Sequence, residues 1–225
     1  MVKAVIFDID GTLVDSVDLH ARAWQEAFAN FGHEIPYEEI RSQNGKGGDQ
    51  LLPVFLSPEE QKEHGKQLEE YRGELFKRKY MSQVKPLPRV RELLERVKRD
   101  GKQIALASSA KKDEIAIYKR IANIEDLVEE EASSDDAERS KPHPDIFEAA
   151  LERLHNVSAQ DAVTVGDSPF DAIAARKIKM QCVGVLSGGF PEGELRAAGC
   201  SAIYRDCADL LDQYEQSLLA GKKAA

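Results

Sequence analysis

The sequence predicts an α/β protein, a doubly wound, Rossmann-like parallel sheet whose chain is interrupted early by an all-helical cap. Three observations predict it. Val2, Ala4, Val5, Ile6 and Phe7 form a near-continuous apolar run, as expected of a strand covered on both faces. Residues 15–85 then follow a helical pattern. From Pro88 onward, short apolar stretches alternate with helical ones, as in parallel strands joined by crossover helices. The expected division is a discontinuous core, 1–14 and 86–225, and a cap, 15–85.

The first strand runs into Asp8-Ile9-Asp10-Gly11-Thr12. Residues two apart on an extended chain point the same way, so Asp8 and Asp10 converge. Open α/β sheets hold ligands at this carboxyl edge. Two carboxylates in one small volume repel unless a cation or a shared proton relieves them. Magnesium suits such an oxygen-lined site, above all when a phosphate adds ligands. The bland alternative is an Asp-Gly turn facing water, and three polar clusters downstream weigh against it.

In the cap, Ser16 is the expected N-cap of an amphipathic helix that carries Leu19, Ala23, Trp24, Ala27, Phe28 and Phe31 and ends near Gly32. Pro36 to Arg41 suggests a second helix, Asn44 to Asp49 a flexible polar break, and Gln50 to Leu56 a short apolar helix. Ser57-Pro58-Glu59-Glu60 supplies a cap, a first-position proline and first-turn acids. The helix it opens reaches towards Tyr80, with Leu68, Tyr71, Leu75 and Phe76 inward. Lys77-Arg78-Lys79 reads as a solvated face. A helical insertion of this size directly after an acidic strand end is best read as a cap. Its joints fall near Val14–Ser16 and Val84–Pro86.

After the cap come a helix from Arg89 to Arg99, a strand from Gln103 to Ala107 that stops at Ser108-Ser109, and a helix from Lys111 to Ala122. A short strand is expected around Leu127-Val128. Ser140-Lys141-Pro142-His143-Pro144-Asp145 leads into a helix over Ile146–His155. The strand Ala162–Val165 stops at Gly166-Asp167-Ser168-Pro169-Phe170-Asp171. A helix over 171–177, a strand over 181–186, a helix over 192–198, a strand over 202–204 and a helix from 207 complete the series, and Gly221–Ala225 reads as a frayed end.

In a parallel sheet the carboxyl edges lie together, so these clusters can share one cleft. Ser108 and Ser109 offer hydroxyls and backbone N–H groups that can hold phosphate oxygens; the alternative is a plain serine N-cap. Lys141, in a segment stiffened by prolines, can stabilise a neighbouring carboxylate and phosphoryl charge; the alternative is a surface solubility group. Asp171 either supports the cleft from behind or serves the helix dipole.

With 225 residues, 42% hydrophobic and 32% charged, the chain has an ordinary globular composition. A net charge of −9 gives no general case for nucleic-acid binding. No apolar stretch approaches the ~20 residues that cross a bilayer, and the first residues lack a signal-peptide core. Cys182, Cys200 and Cys207 form no Cys-x-x-Cys pair and read as reduced thiols. The expectation is a cytoplasmic monomer or weak homo-oligomer that binds neither nucleic acid nor membrane.

Phe7-Asp8-Ile9-Asp10-Gly11-Thr12-Leu13-Val14-Asp15-Ser16 resembles the first motif of the haloacid dehalogenase superfamily, in its phosphatase and phosphomutase branch. The resemblance implies Asp8 as a nucleophile that forms an aspartyl-phosphate, Asp10 as general acid and base, and Thr12 in support. Ser108-Ser109 is similar to the second motif, implying that the Ser108 hydroxyl and the Ser109 amide bind phosphate. Lys141-Pro142-His143-Pro144-Asp145 resembles the third, with Lys141 beside the nucleophile and His143 a variable position. Gly166-Asp167 resembles the fourth, making Asp167 a magnesium ligand together with Asp8 and the backbone carbonyl of Asp10, and leaving Asp171 to orient Lys141 or a metal-bound water. The implied activity is magnesium-dependent hydrolysis of a small phosphorylated metabolite, as in phosphoglycolate phosphatases. A β-phosphoglucomutase-like mutase is the alternative, carried by His20 and Trp24 but opposed by Gly166, where such mutases have glutamate. It is opposed too by Gly48, where they place an arginine that only Lys46 could replace. His20 and Lys46 are thus the candidate cap contacts. A non-catalytic binding module, from a different class, would have lost one of the four motifs, and none is lost.

Overall fold

The computed structural model describes residues 1–221, so all but the first residue of the expected frayed end lies outside the described residues. The first strand, β1 (Ala4–Phe7), is wholly buried. Its side chains alternate between two cores: Val5 and Phe7 join one apolar cluster, Ala4 and Ile6 the other. Burial on both faces is why the strand is apolar throughout rather than alternating.

A short strand β2 (Val14–Asp15) leads into the helical insert of α1 (Val17–Asn30), α2 (Tyr37–Arg41), α3 (Gly48–Phe55), α4 (Pro58–Glu60) and α5 (Lys66–Leu75). Wider turns at Gln61–Gly65 and Phe76–Tyr80 join the last two helices into one rod that reaches Tyr80. Ser57 and Glu60 close a reciprocal capping box at its start. The insert has its own apolar centre, including Trp24, Phe28, Ile40, Leu51 and Leu68. The strand β3 (Lys85–Pro86) returns the chain, pairing antiparallel with β2.

Then follow α6 (Val90–Arg99), β4 (Gln103–Ala107), α7 (Lys112–Ala122), β5 (Glu130–Ala132), α8 (Asp145–Arg153), β6 (Ala162–Gly166), α9 (Pro169–Lys177), β7 (Gln181–Val185), α10 (Glu192–Ala198), β8 (Ala202–Tyr204) and α11 (Cys207–Asp212). The six-stranded sheet has the order β5-β4-β1-β6-β7-β8, and every neighbouring pair is parallel. Phe7 lies level with Leu106 on one side and Val165 on the other. Three strands therefore end together, and Asp8, Ser108 and Asp167 leave the sheet at one edge.

Three local expectations change. The strand expected at Leu127-Val128 is Glu130–Ala132. It is the sheet edge, where half-exposed Glu130 and Glu131 are tolerated, while Leu127 plugs the apolar cluster from the preceding turn. Ser16 stands at the N-cap of α1, but its hydroxyl does not cap the helix and instead donates to Asp10. The segment Asn44–Asp49 is not a loose break. Asn44 is buried with its side chain on the Val17 carbonyl, and the Gly47 N–H donates to Ser140 Oγ at 2.8 Å.

Candidate active site

Lys141 is 1% exposed, and its ammonium is held by three oxygens. Nζ lies 2.6 Å from Asp8 Oδ1 and 2.9 Å from the Ala107 carbonyl. The third oxygen is Asp171 Oδ1, 2.7 Å away as an ion pair. Burial works against the lysine's charge, but Asp171 and Asp8 outweigh it and hold the ammonium above its ordinary value. The other oxygen of Asp171 closes a capping box with Ser168, accepting from its hydroxyl at 2.6 Å and its N–H at 3.1 Å. The two readings of Asp171, support for Lys141 and service to the helix start, are therefore both realised, one by each oxygen. Gly166 makes room for this. A Cβ there would come within 2.5 Å of Asp171 Cγ.

The second oxygen of Asp8, Oδ2, has one hydrogen bond among the described residues, from the Thr12 hydroxyl across 3.3 Å. Burial pushes the Asp8 carboxyl up, to about 7, with Lys141 pulling down and Asp171 and Asp10 adding to the rise. Asp167, 3% exposed, is also raised by burial and then by Asp8 and Asp171. A Cβ at Gly188 would overlap the Asp167 carboxylate at 1.7 Å, so only glycine allows the loop after β7 this close. Carboxylate oxygens of Asp8, Asp167 and Asp171 lie within 4.8 Å of one another. Three buried carboxylates against one ammonium leave an excess of negative charge among hard oxygen donors. That donor set fits a divalent cation such as magnesium.

Asp10 faces the other way. Its Oδ1 accepts from Ser16 Oγ at 2.5 Å and contacts His20 Nε2 at 2.9 Å. Burial opposes its charge, but His20, Ser16 and Arg72 prevail, and the carboxyl sits below its ordinary value. His20 stacks on Phe76 at 3.9 Å, and its Nδ1 meets Arg72 Nη2 at 2.5 Å. An arginine can only donate, so Nδ1 accepts and Nε2 carries the proton that points at Asp10. A histidine of the insert thus reaches a core carboxylate.

The cavity between insert and sheet edge is lined by Asp8, Asp10, Asp167, His20, Lys46 and Ser109, among others. Ser108 is fully buried behind this wall, its hydroxyl accepting from the Ala110 N–H at 3.1 Å. Ser109 Oγ is buried and has no partner. Lys46 is half-buried, donates to Gln43 Oε1 at 2.5 Å and rides 4.8 Å above the Phe170 ring. Ser140, directly before Lys141, is held from the insert by Asp49, which accepts from its N–H at 3.0 Å and its hydroxyl at 2.5 Å. Arg72 and Glu114, which stand in none of the four motifs, also line the cavity. Arg72 carried a signal. Its neighbours one turn away, Leu68 and Phe76, are both apolar and buried, so a charged residue stood on an inward stripe.

The family model for haloacid dehalogenase-like hydrolases matches residues 5–185. The chain belongs to that family. It is 32% identical over 220 residues to a phosphoglycolate phosphatase of Yersinia pestis, covering 93% of this chain and 92% of that protein. It is 28% identical over 204 residues to the phosphorylated carbohydrates phosphatase of Thermotoga maritima, covering 90% and 94%. A hydrolase from Pseudomonas syringae superposes with a TM-score of 0.86 at 30% identity over 95% of this chain and 98% of the other. The chain spans 67% and 20% of the lengths of two Arabidopsis thaliana relatives. Among the described residues no helix is long and apolar enough to cross a membrane. The family is one of enzymes, and its members similar to this chain include phosphatases.

Proposed function

We propose that this enzyme is a magnesium-dependent phosphatase that hydrolyses a small phosphorylated metabolite through an aspartyl-phosphate on Asp8, with the insert between Asp15 and Lys85 as its cap. The observation that carries the reading is the division of labour at Asp8: Oδ1 is tied to Lys141 while Oδ2 has only the distant Thr12 hydroxyl. One oxygen is fixed and the other is available to attack. Asp8, Asp167 and the Asp10 backbone carbonyl would hold magnesium, which when bound offsets the repulsion between the carboxylates and the phosphate.

Oδ2 of Asp8 forms the bond to phosphorus as the ester oxygen leaves in line. Asp10 gives its proton to that oxygen. Asp10 is ionised more readily than usual in the free enzyme, but an incoming phosphate adds negative charge beside it and favours the protonated form. After the leaving group departs, Asp10 takes a proton from water, and the resulting hydroxide oxygen attacks phosphorus and releases Asp8. Lys141 stays charged throughout and stabilises the phosphoryl oxygens. Ser109, whose buried hydroxyl has no partner among the described residues, would bind the same group, with Ser108 behind it.

His20 on Asp10 favours a second reading, a β-phosphoglucomutase-like transfer in which Asp10 takes the proton of a second sugar hydroxyl, whose oxygen attacks phosphorus and releases Asp8. Gly166 speaks against it, since the space above this residue is filled by Asp171. The test is free phosphate release from a panel of small phosphomonoesters with magnesium and with chelator, beside conversion of β-glucose 1-phosphate. Phosphate released only with metal supports hydrolysis. Isomerised sugar phosphate without net phosphate release overturns it.

A further inference from the structure

The cavity over Asp8 and Asp10 has a volume of about 160 Å³, and its wall holds polar groups that the protein itself leaves unmatched. Glu114 is 3% exposed and lines the cavity. Its backbone N–H bonds to the Asp113 carboxylate, and its side chain opens on the cavity. Arg72 lines the same cavity, and its Nε is buried with no partner. The rest of that guanidinium is fixed, with Nη2 on His20 Nδ1 at 2.5 Å and the plane over Trp24 at 4.9 Å and Phe76 at 5.5 Å. Buried polar groups are ordinarily paired, and the Arg72 Nε–H has no partner among the described residues. Neither Glu114 nor the Arg72 Nε–H is used by the phosphoryl chemistry.

Glu114 stands in the first turn of α7, a few residues after Ser108-Ser109, so the phosphate-facing loop and this acid share one rigid element. Arg72 comes from the insert. A leaving group placed between them meets an acceptor from the core and a donor from the cap. A carboxylated leaving group faces Glu114 as a like charge. An ammonium-bearing one faces Arg72 as a like charge. A hydroxyl donates to Glu114, accepts from Arg72 Nε and brings no charge to repel.

The geometry points to Glu114 as a specificity-determining residue that, with Arg72, selects a leaving group carrying a hydroxyl near the phosphoester, a phosphorylated polyol or sugar, over carboxylated or aminated ones. This rests on the phosphatase reading above. A site built around a substrate hydroxyl rejects analogues lacking it far more strongly than an apolar pocket rejects a change in size.

The experiment compares kcat/KM for glycerol 3-phosphate, 2-phosphoglycolate and phosphoethanolamine on the native enzyme and on Glu114→Gln, with acetyl phosphate as a generic phosphoryl donor. Glycerol 3-phosphate is expected to lead both others by at least about tenfold. In Glu114→Gln its lead over 2-phosphoglycolate should shrink by about tenfold or more. That ratio is read on one preparation, so a loss of folded protein cancels, and the native ranking needs no variant. If the Gln variant turns over nothing, Glu114→Asp, which keeps the charge on a shorter arm, supplies the ratio, again expected to shrink. Preference of the native enzyme for 2-phosphoglycolate or phosphoethanolamine overturns the inference, as does a ratio unmoved by substitution. Turnover of acetyl phosphate alone also overturns it while sparing the phosphatase reading. No turnover of any of the four overturns the phosphatase reading itself.

Discussion

At the sheet edge, Lys141 touches three oxygens, Asp171 spends one oxygen on Lys141 and the other on Ser168, and both residues are 1% exposed. Beneath the insert, Arg72 keeps an Nε with no partner among the described residues, Lys46 is half-buried against Phe170, and Glu114 lines the same cavity. The first region is nearly saturated with its own contacts; the second is left open. Under the proposed function, groups that act on one phosphoryl geometry would be held in advance, because reorganisation during reaction raises the barrier. Groups that recognise a leaving group are completed only by it.

Substitutions separate the two regions, beginning with the largest effect. Asp8→Asn should lower phosphate release by at least about 10⁴-fold, as removal of a covalent nucleophile does. In chelator the variant should melt no lower than the native protein, because it removes one charge from an over-acidic buried cluster. Retained turnover would break the division between fixed and free oxygens on which the core half of the comparison stands.

Gly166→Ala puts a methyl group within 2.5 Å of Asp171 Cγ and should push that carboxylate off Lys141. The expected cost is about 1–3 kcal/mol in urea unfolding, with a fall of about tenfold or more in kcat. An unchanged kcat would show that Asp171 serves only its helix.

Asp49→Ala removes the grip of the insert on Ser140. KM should rise by a few fold, about what one or two exchanged hydrogen bonds contribute, with kcat changed less. A fall in kcat as large as that for Gly166→Ala would erase the contrast between the regions.

The smallest effect lies outside both. Asp100 is held down to about 2 by hydrogen bonds from Arg96 and Lys102, against a small opposing effect of burial. Its folded value is below its unfolded one, so its stabilisation is present above pH about 4 and is lost as pH falls towards 2. The group is exposed, and after solvent screening the contribution is at most about 1 kcal/mol. The stability gap between native protein and Asp100→Asn should narrow as pH is lowered from 5 to 3, in denaturant melts.

The sequence by itself determined the sheet, because burial on both faces leaves an apolar run that few other structures explain. It also determined which polar residues end those strands, since Asp8, Ser108 and Asp167 follow β1, β4 and β6 directly. Motif spacing placed Lys141 and Asp171 beside them. Tertiary structure alone decided what the spacing could not express. Which oxygen of Asp171 faces Lys141, the turn of Asp10 away from Asp8 towards His20, and the use of Ser16 on Asp10 rather than on its helix all depend on residues brought together from different elements. So does the edge strand: Glu130–Ala132 has little apolar content of its own and is a strand only because β4 offers it a partner. Glu114 was hidden for the same reason. It is an unremarkable charged residue on its own helix, and only the seating of that helix at the sheet edge brings it to the cavity wall.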